Sequence, residues 1–126
     1  MKEIIFKYVC YMGQYSFIAN YDNEKINFKS YLRFYDGEKK NGGEITGVKV
    51  KRFSNLLNKI DFEQYESDCV TKDEENGDPQ IVNIAHCDDD GHIYFAERDV
   101  LYGGDELKLI VKAIRICDKD DTWFNL

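Results

Sequence analysis

Two histidines, a cysteine and three consecutive aspartates lie within residues 86–92, in the stretch "HCDDDGHIYFAE" (His86 to Glu97). Those residue types could do two kinds of metal chemistry. Asp88, Asp90, Gly91 and Glu97 fall on the ligand, bend and bidentate positions of a D-x-[DN]-x-[DN]-G-x5-E calcium loop, and Ile93 falls on its apolar position. The first ligand position, however, is His86, and a neutral imidazole suits a hard cation poorly. The preceding "IVNIA" is β-forming, and Gly103-Gly104 closes off a long exiting helix. His86, Cys87 and His92 are ligand types for zinc. On a hairpin, Cys87 would face His92 while His86 pointed to the other side, so at most two could share one ion. The expectation is no metal and no cofactor. Cys87 with His92 is the pair on which a metal-binding module or small metal-dependent enzyme would have to rest.

The competing reading is a β-hairpin. A four-residue loop, Asp88 to Gly91, places Ile84 opposite Phe95 and His86 opposite Ile93, with Val82, Ile84, Ile93 and Phe95 on one apolar face. A two-residue Asp-Gly turn would pair Ile84 with Glu97, which a buried face disfavours. The longer loop is expected, with Asp88, Asp89 and Asp90 as its solvated tip.

The elements around it are strand-rich. "EIIFKYVCYM" (3–12), "YSFIANY" (15–21) and "INFKSYLRFY" (26–35) are dense in β-branched and aromatic residues and read as strands, as do "IVNIAHC" (81–87) and "HIYFAERD" (92–99). "DGEKKNGG" (36–43) reads as a polar loop. Val50, Phe53, Leu56, Leu57 and Ile60 recur at helical spacing and predict a helix over about 47–60, with Thr46 as N-cap. "DELKLIVKAIRICD" (105–118) fits either periodicity, and its β-branched content tips it towards strand. The sum is one α+β domain over residues 1–126, mainly antiparallel sheet with at least one packed helix.

Charge is unevenly distributed. Net charge is −7; residues 1–60 carry 11 Lys/Arg against 6 Asp/Glu, and residues 61–126 carry 6 against 18. Part of the acid lies in "DFEQYESDCVTKDEENGDPQ" (61–80), with a mobile acidic loop expected at about 66–80. Glu63, Glu66, Asp68, Asp73, Glu74, Glu75 and Asp78, together with Asp88, Asp89 and Asp90, are the candidate contacts to a protein with a basic surface. Phe62 and Tyr65 could anchor such contacts.

Other classes find less support. Lys49, Lys51, Arg52 and Lys59 could meet RNA, with Tyr11, Tyr15, Tyr31 and Phe34 as stacking platforms, but the net charge opposes it and no RNP-type motif is present. No direct contact to nucleic acid is expected. The chain has no nucleophile elbow, phosphate loop or H-E-x-x-H, and its carboxylates fall in runs rather than as an isolated pair in an apolar setting, so no enzyme is expected. Lys7 interrupts the apolar start, and no run approaches the roughly 20 apolar residues that span a bilayer. A cytoplasmic protein with free thiols at Cys10, Cys69, Cys87 and Cys117 is the expectation. Trp123 and Phe124 read as docking on the core or forming an exposed anchor.

One resemblance can be stated on these residues. The helix pattern V-x-V-x-x-F-x-x-L-L-x-x-I from Val48 to Ile60, then "GHIYF" and "LKLIVKAIRI", in a short acidic chain with β-hairpins, resembles WapI-type immunity proteins of bacterial polymorphic toxin systems over about residues 45–116. The resemblance implies an inhibitor that binds and blocks a toxin without catalysis, and it carries over no site residues. A phage-type anti-defence protein, in the manner of an anti-CRISPR inhibitor, is the neighbouring alternative, because clustered carboxylates can imitate phosphates.

Overall fold

The computed structural model describes residues 1–10, 13–34, 37–67, 81–99 and 104–119. Six strands, β1 (Lys2–Cys10), β2 (Gly13–Tyr21), β3 (Lys25–Phe34), β4 (Gly37–Thr46), β5 (Ile81–Cys87) and β6 (Ile93–Asp99), form one sheet in the order β4-β3-β2-β1-β5-β6. Every pairing is antiparallel. Two helices, α1 (Val48–Asn58) and α2 (Gly104–Cys117), and a 3₁₀ helix (Phe62–Ser67) complete the described elements. This is the α+β class expected from the sequence. None of the described helices is long and apolar enough to cross a membrane.

Alternation in the strands builds one core face. In β2, Tyr15, Phe17, Ala19 and Tyr21 are buried. The ladders set Phe6 of β1 between Phe17 and Ile84, and both neighbours are buried with it. Each such side chain contributes roughly 1.5–3 kcal/mol through burial. The helices cover this face: Val50, Phe53 and Leu57 of α1 are buried, and the Phe53 ring meets Tyr21 edge-on at 5.1 Å. The end of α2 is tied to the sheet by Asp118, whose carboxylate accepts hydrogen bonds from the Tyr15 hydroxyl (2.8 Å) and the Asn41 amide (3.1 Å).

Three expectations need correction here. The stretch 105–118, expected as strand, lies in helix α2 as far as Cys117. Leu107, Ile110, Val111, Ile114 and Cys117 are buried while Lys108, Lys112 and Arg115 are exposed, which is one helical stripe. A strand would have buried Leu109 with Leu107, and Leu109 is only partly covered. Packing of the amphipathic stripe overrides the β-branched propensity of Ile110, Val111, Ile114 and Ile116.

The polar loop 36–43 lies largely within an edge strand, β4, paired to β3 from Gly37↔Phe34 to Thr46↔Lys25. Its side chains are nearly all exposed, so backbone pairing rather than a buried face holds it. Lysines such as Lys39 and Lys40 on an exposed edge suit its position, and such an edge carries no alternation for a sequence to display.

The N-cap of α1 is Gly47 rather than Thr46, which ends β4. Gly47 has φ 82 and gives no side-chain cap. The strand runs directly into the helix there, and only glycine makes that left-handed step without steric cost.

Candidate functional site

The 86–97 stretch is a β-hairpin, one residue out of the expected register. Cys87 pairs with Ile93, His86 with Tyr94 and Ile84 with Ala96, leaving a five-residue connection, Asp88 to His92. Asp88 organises it. Its Oδ1 accepts hydrogen bonds from the backbone N–H groups of Asp90 (3.0 Å) and His92 (2.9 Å), and its own N–H donates to the His92 carbonyl (3.0 Å). Gly91, at φ 83, supplies the left-handed residue the connection needs.

A slip of one residue flips every side chain of a strand. Tyr94, Ala96 and Arg98 therefore share the core side with Val82, Ile84 and His86, and Ala96 is buried. Ile93 and Phe95, expected in the core with Val82 and Ile84, stand on the opposite face, 64% and 55% exposed. Arg98 compensates for its inward position. Its guanidinium lies over the Tyr65 ring at 5.1 Å and 3.9 Å from Glu106, and the Tyr65 hydroxyl donates to Glu106.

The metal readings lose their geometry in this register. His86 is buried on the core side, Cys87 lies on the open face opposite Ile93, and His92 is exposed in the connection, its ring stacked on Tyr94. Cys87 does not face His92. Among the described residues, no group of three or more His, Cys, Asp or Glu side chains could hold a metal ion.

His86 instead forms a small polar core. It is 6% exposed, its Nε2 lies 2.8 Å from the Tyr21 hydroxyl, and its ring stacks flat on Phe62 at 4.1 Å. Burial is the main cause holding its pKa down at about 4, with Lys2 adding to it and Asp88 and Asp89 opposing it. Burial, then Asp89, raises the Tyr21 phenol above its usual value. Nδ1 of His86 is buried with no hydrogen-bond partner among the described residues. A base this weak beside a phenol this reluctant is mismatched to proton transfer near neutrality. Sequence reasoning missed Tyr21 and Phe62 as partners of His86, because the β2-β1-β5 order brings 21 near 86 and the docked 3₁₀ helix adds 62.

Phe62 and Tyr65, expected as exposed anchors, are both buried, stacked edge to face at 5.2 Å. The 3₁₀ helix docks on β5 and β6 through them, so they cannot reach a partner directly. The acidic candidates around them divide. Glu63 and Asp61 are among the lining of a cleft of about 270 Å³ that also includes Lys2, His86, Asp88 and Tyr94. Asp89 and Asp90 are exposed in the connection, Asp89 lying 3.0 Å from the amino group of Met1. Glu66 belongs to the 3₁₀ helix. Asp68, Asp73, Glu74, Glu75 and Asp78, with most of the loop expected at 66–80, lie outside the described residues, as do Cys69, Tyr11, Trp123 and Phe124.

Next to this acidic end runs an apolar strip. Ile18, Ile5, Ala85 and Phe95 stand in register across β2, β1, β5 and β6 on the face that the helices leave open. Ile5 and Val9 are exposed on the same face, and Ile93 adjoins the turn. The RNA stacking platform, by contrast, does not assemble: Tyr15 is buried beneath the helices, and Tyr31 faces the other way, its hydroxyl donating to Glu38.

Comparison of the chain with protein-family models, with curated proteins and with solved structures gives no match.

Proposed function

We propose that this chain is a non-enzymatic inhibitor that docks the hairpin end of its open sheet face on a basic surface of a partner protein. Immunity to a toxin is the form that the resemblance to WapI-type proteins suggests. The observation that carries the reading is the juxtaposition of exposed Ile93 and Phe95 with Asp89 and Asp90 on one hairpin. Protein interfaces combine apolar anchors at the centre with a polar rim, and complementary charge speeds and orders the encounter. An exposed apolar strip on an otherwise highly charged chain is the usual mark of such a surface. The inward His86–Tyr21 pair, poorly matched to acid–base work, supports binding over catalysis at the same end of the molecule.

The test is affinity capture from the source cell, with the wild-type chain and with a Phe95→Ser/Asp89→Asn/Asp90→Asn variant side by side. The reading expects one basic protein retained by the wild type and lost by the variant. Retention of that protein by both chains would overturn it. Identification of the retained protein as a toxin favours immunity; a nucleic-acid-binding effector favours the anti-defence form.

A further inference from the structure

On the helical side of the molecule, away from Ile93 and Phe95, α1 and α2 enclose a groove of about 560 Å³. Lys49, Arg52 and Lys59 line one wall and Lys112, Arg115 and Lys119 the other, with Leu56 and Ile116 as apolar lining. Among the described residues, no carboxylate lines it. A chain of net charge −7 thus gathers six cations into one cleft.

An ordinary solvated helix face does not have this arrangement. Exposed helices intersperse signs, since like charges at neighbouring positions repel and opposite ones at i, i+4 stabilise. The sequence of α1, "VKVKRFSNLLN", contains no acid at all. Among the described residues Lys49, Arg52, Lys59, Lys112 and Lys119 form no ion pair. The mutual repulsion of these five is left for a bound anion to relieve.

We propose that this groove binds a small organic polyphosphate, a molecule with two or more phosphates on an apolar or aromatic body, of which a nucleoside triphosphate is the simplest probe. The volume lies in the range of small-molecule sites, roughly 300–1,000 Å³. Two cationic walls grip phosphates from both sides, with the Arg52 guanidinium able to bind phosphate oxygens in pairs. Leu56 and Ile116 offer the apolar surface that a flat ring needs. A long nucleic acid fits less well. Lys49 to Lys59 covers only about 15 Å of helix, and beyond the groove the net negative field of the molecule repels a polyanion.

Isothermal titration of the full chain at low ionic strength tests this, with ATP, tripolyphosphate, adenosine and oligouridylates of increasing length as probes. ATP is expected to bind one per chain, tripolyphosphate more weakly, and adenosine not measurably. Arg52→Glu/Lys112→Glu is expected to weaken ATP at least about tenfold. Lys7→Glu/Lys29→Glu, the same change of net charge on the open sheet face, is expected to leave it within about twofold. Arg52→Gln/Lys112→Gln, folded by circular dichroism, repeats the comparison should the charge reversal disturb the helices. Absence of binding by both ATP and tripolyphosphate would overturn the proposal. So would equal losses in the two charge-reversed chains, or oligouridylate binding that exceeds ATP and rises with length, which marks a nucleic-acid groove instead.

Discussion

Cys87 and Ile93 face each other across the β5–β6 hairpin. That pairing fixes the parity of β6. It sends Tyr94, Ala96 and Arg98 to the helical side and leaves Ile93 and Phe95 on the open face beside the acidic turn. The polar core around His86 and the proposed docking surface are therefore two sides of one hairpin.

The parity has a direct consequence for stability. Ile93→Ser and Phe95→Ser are expected to change unfolding free energy by no more than about 0.5 kcal/mol, as exposed substitutions do. Ile84→Ala, one pair further along on the buried side, is expected to cost about 2–5 kcal/mol. Urea denaturation of the three variants decides. A large loss for Phe95→Ser with little for Ile84→Ala would reverse the register.

Asp88 has two separable roles. Its Oδ1 holds two backbone N–H groups of the turn, and its charge adds to the acidic end. Asp88→Asn keeps an acceptor oxygen and is expected to hold stability within about 0.5 kcal/mol, whereas Asp88→Ala is expected to cost about 1 kcal/mol. Thermal or urea unfolding of the pair measures the difference. Equal stability of the two would remove the turn-organising role.

His86 makes the fold acid-sensitive. Its folded pKa is down at about 4, below the usual value of about 6.5 for an unfolded chain. The unfolded state therefore binds the proton more readily. The stability held by neutral His86 is complete above about pH 6.5 and is lost as pH falls towards 4. Allowing for partial solvent screening, the loss by pH 5 is about 1–2 kcal/mol. Asp22, lowered by the Glu24 and Lys25 backbone N–H groups, acts in a separate window below the usual carboxylate range. Unfolding free energy measured from pH 7 to 5 is expected to fall more steeply for the wild type than for His86→Gln. Parallel profiles would show that His86 does not carry the slope.

The sheet and α1 were legible in the sequence because their side chains alternate or recur against a single buried face: Tyr15, Phe17 and Ala19 in one case, Val50, Phe53 and Leu57 in the other. β4 was not, since an exposed edge strand such as "GEKKNGGEIT" is held by its backbone. The β5–β6 register misled for a related reason. Placing Ile93 and Phe95 in the core satisfies burial, but the observed turn satisfies Asp88, His92 and Gly91 at the cost of exposing two apolar residues. Local turn chemistry won over burial at that hairpin, and the apolar pair left exposed is the surface proposed to dock on a partner. The groove of α1 and α2 was half visible. Lys49, Arg52 and Lys59 stood out as a basic helix surface, but Lys112, Arg115 and Lys119 joined them only once 105–118 proved helical.

The hairpin end is proposed to dock on a basic partner through Phe95 and the neighbouring aspartates. The most direct measurement is the dissociation constant of the captured partner, by surface plasmon resonance, for the wild type and for Phe95→Asp at low and physiological salt. The expected result is a loss of about 30-fold or more for Phe95→Asp, with association of the wild type slowing as salt rises. Equal affinity of the two chains, with an on-rate indifferent to salt, would contradict it.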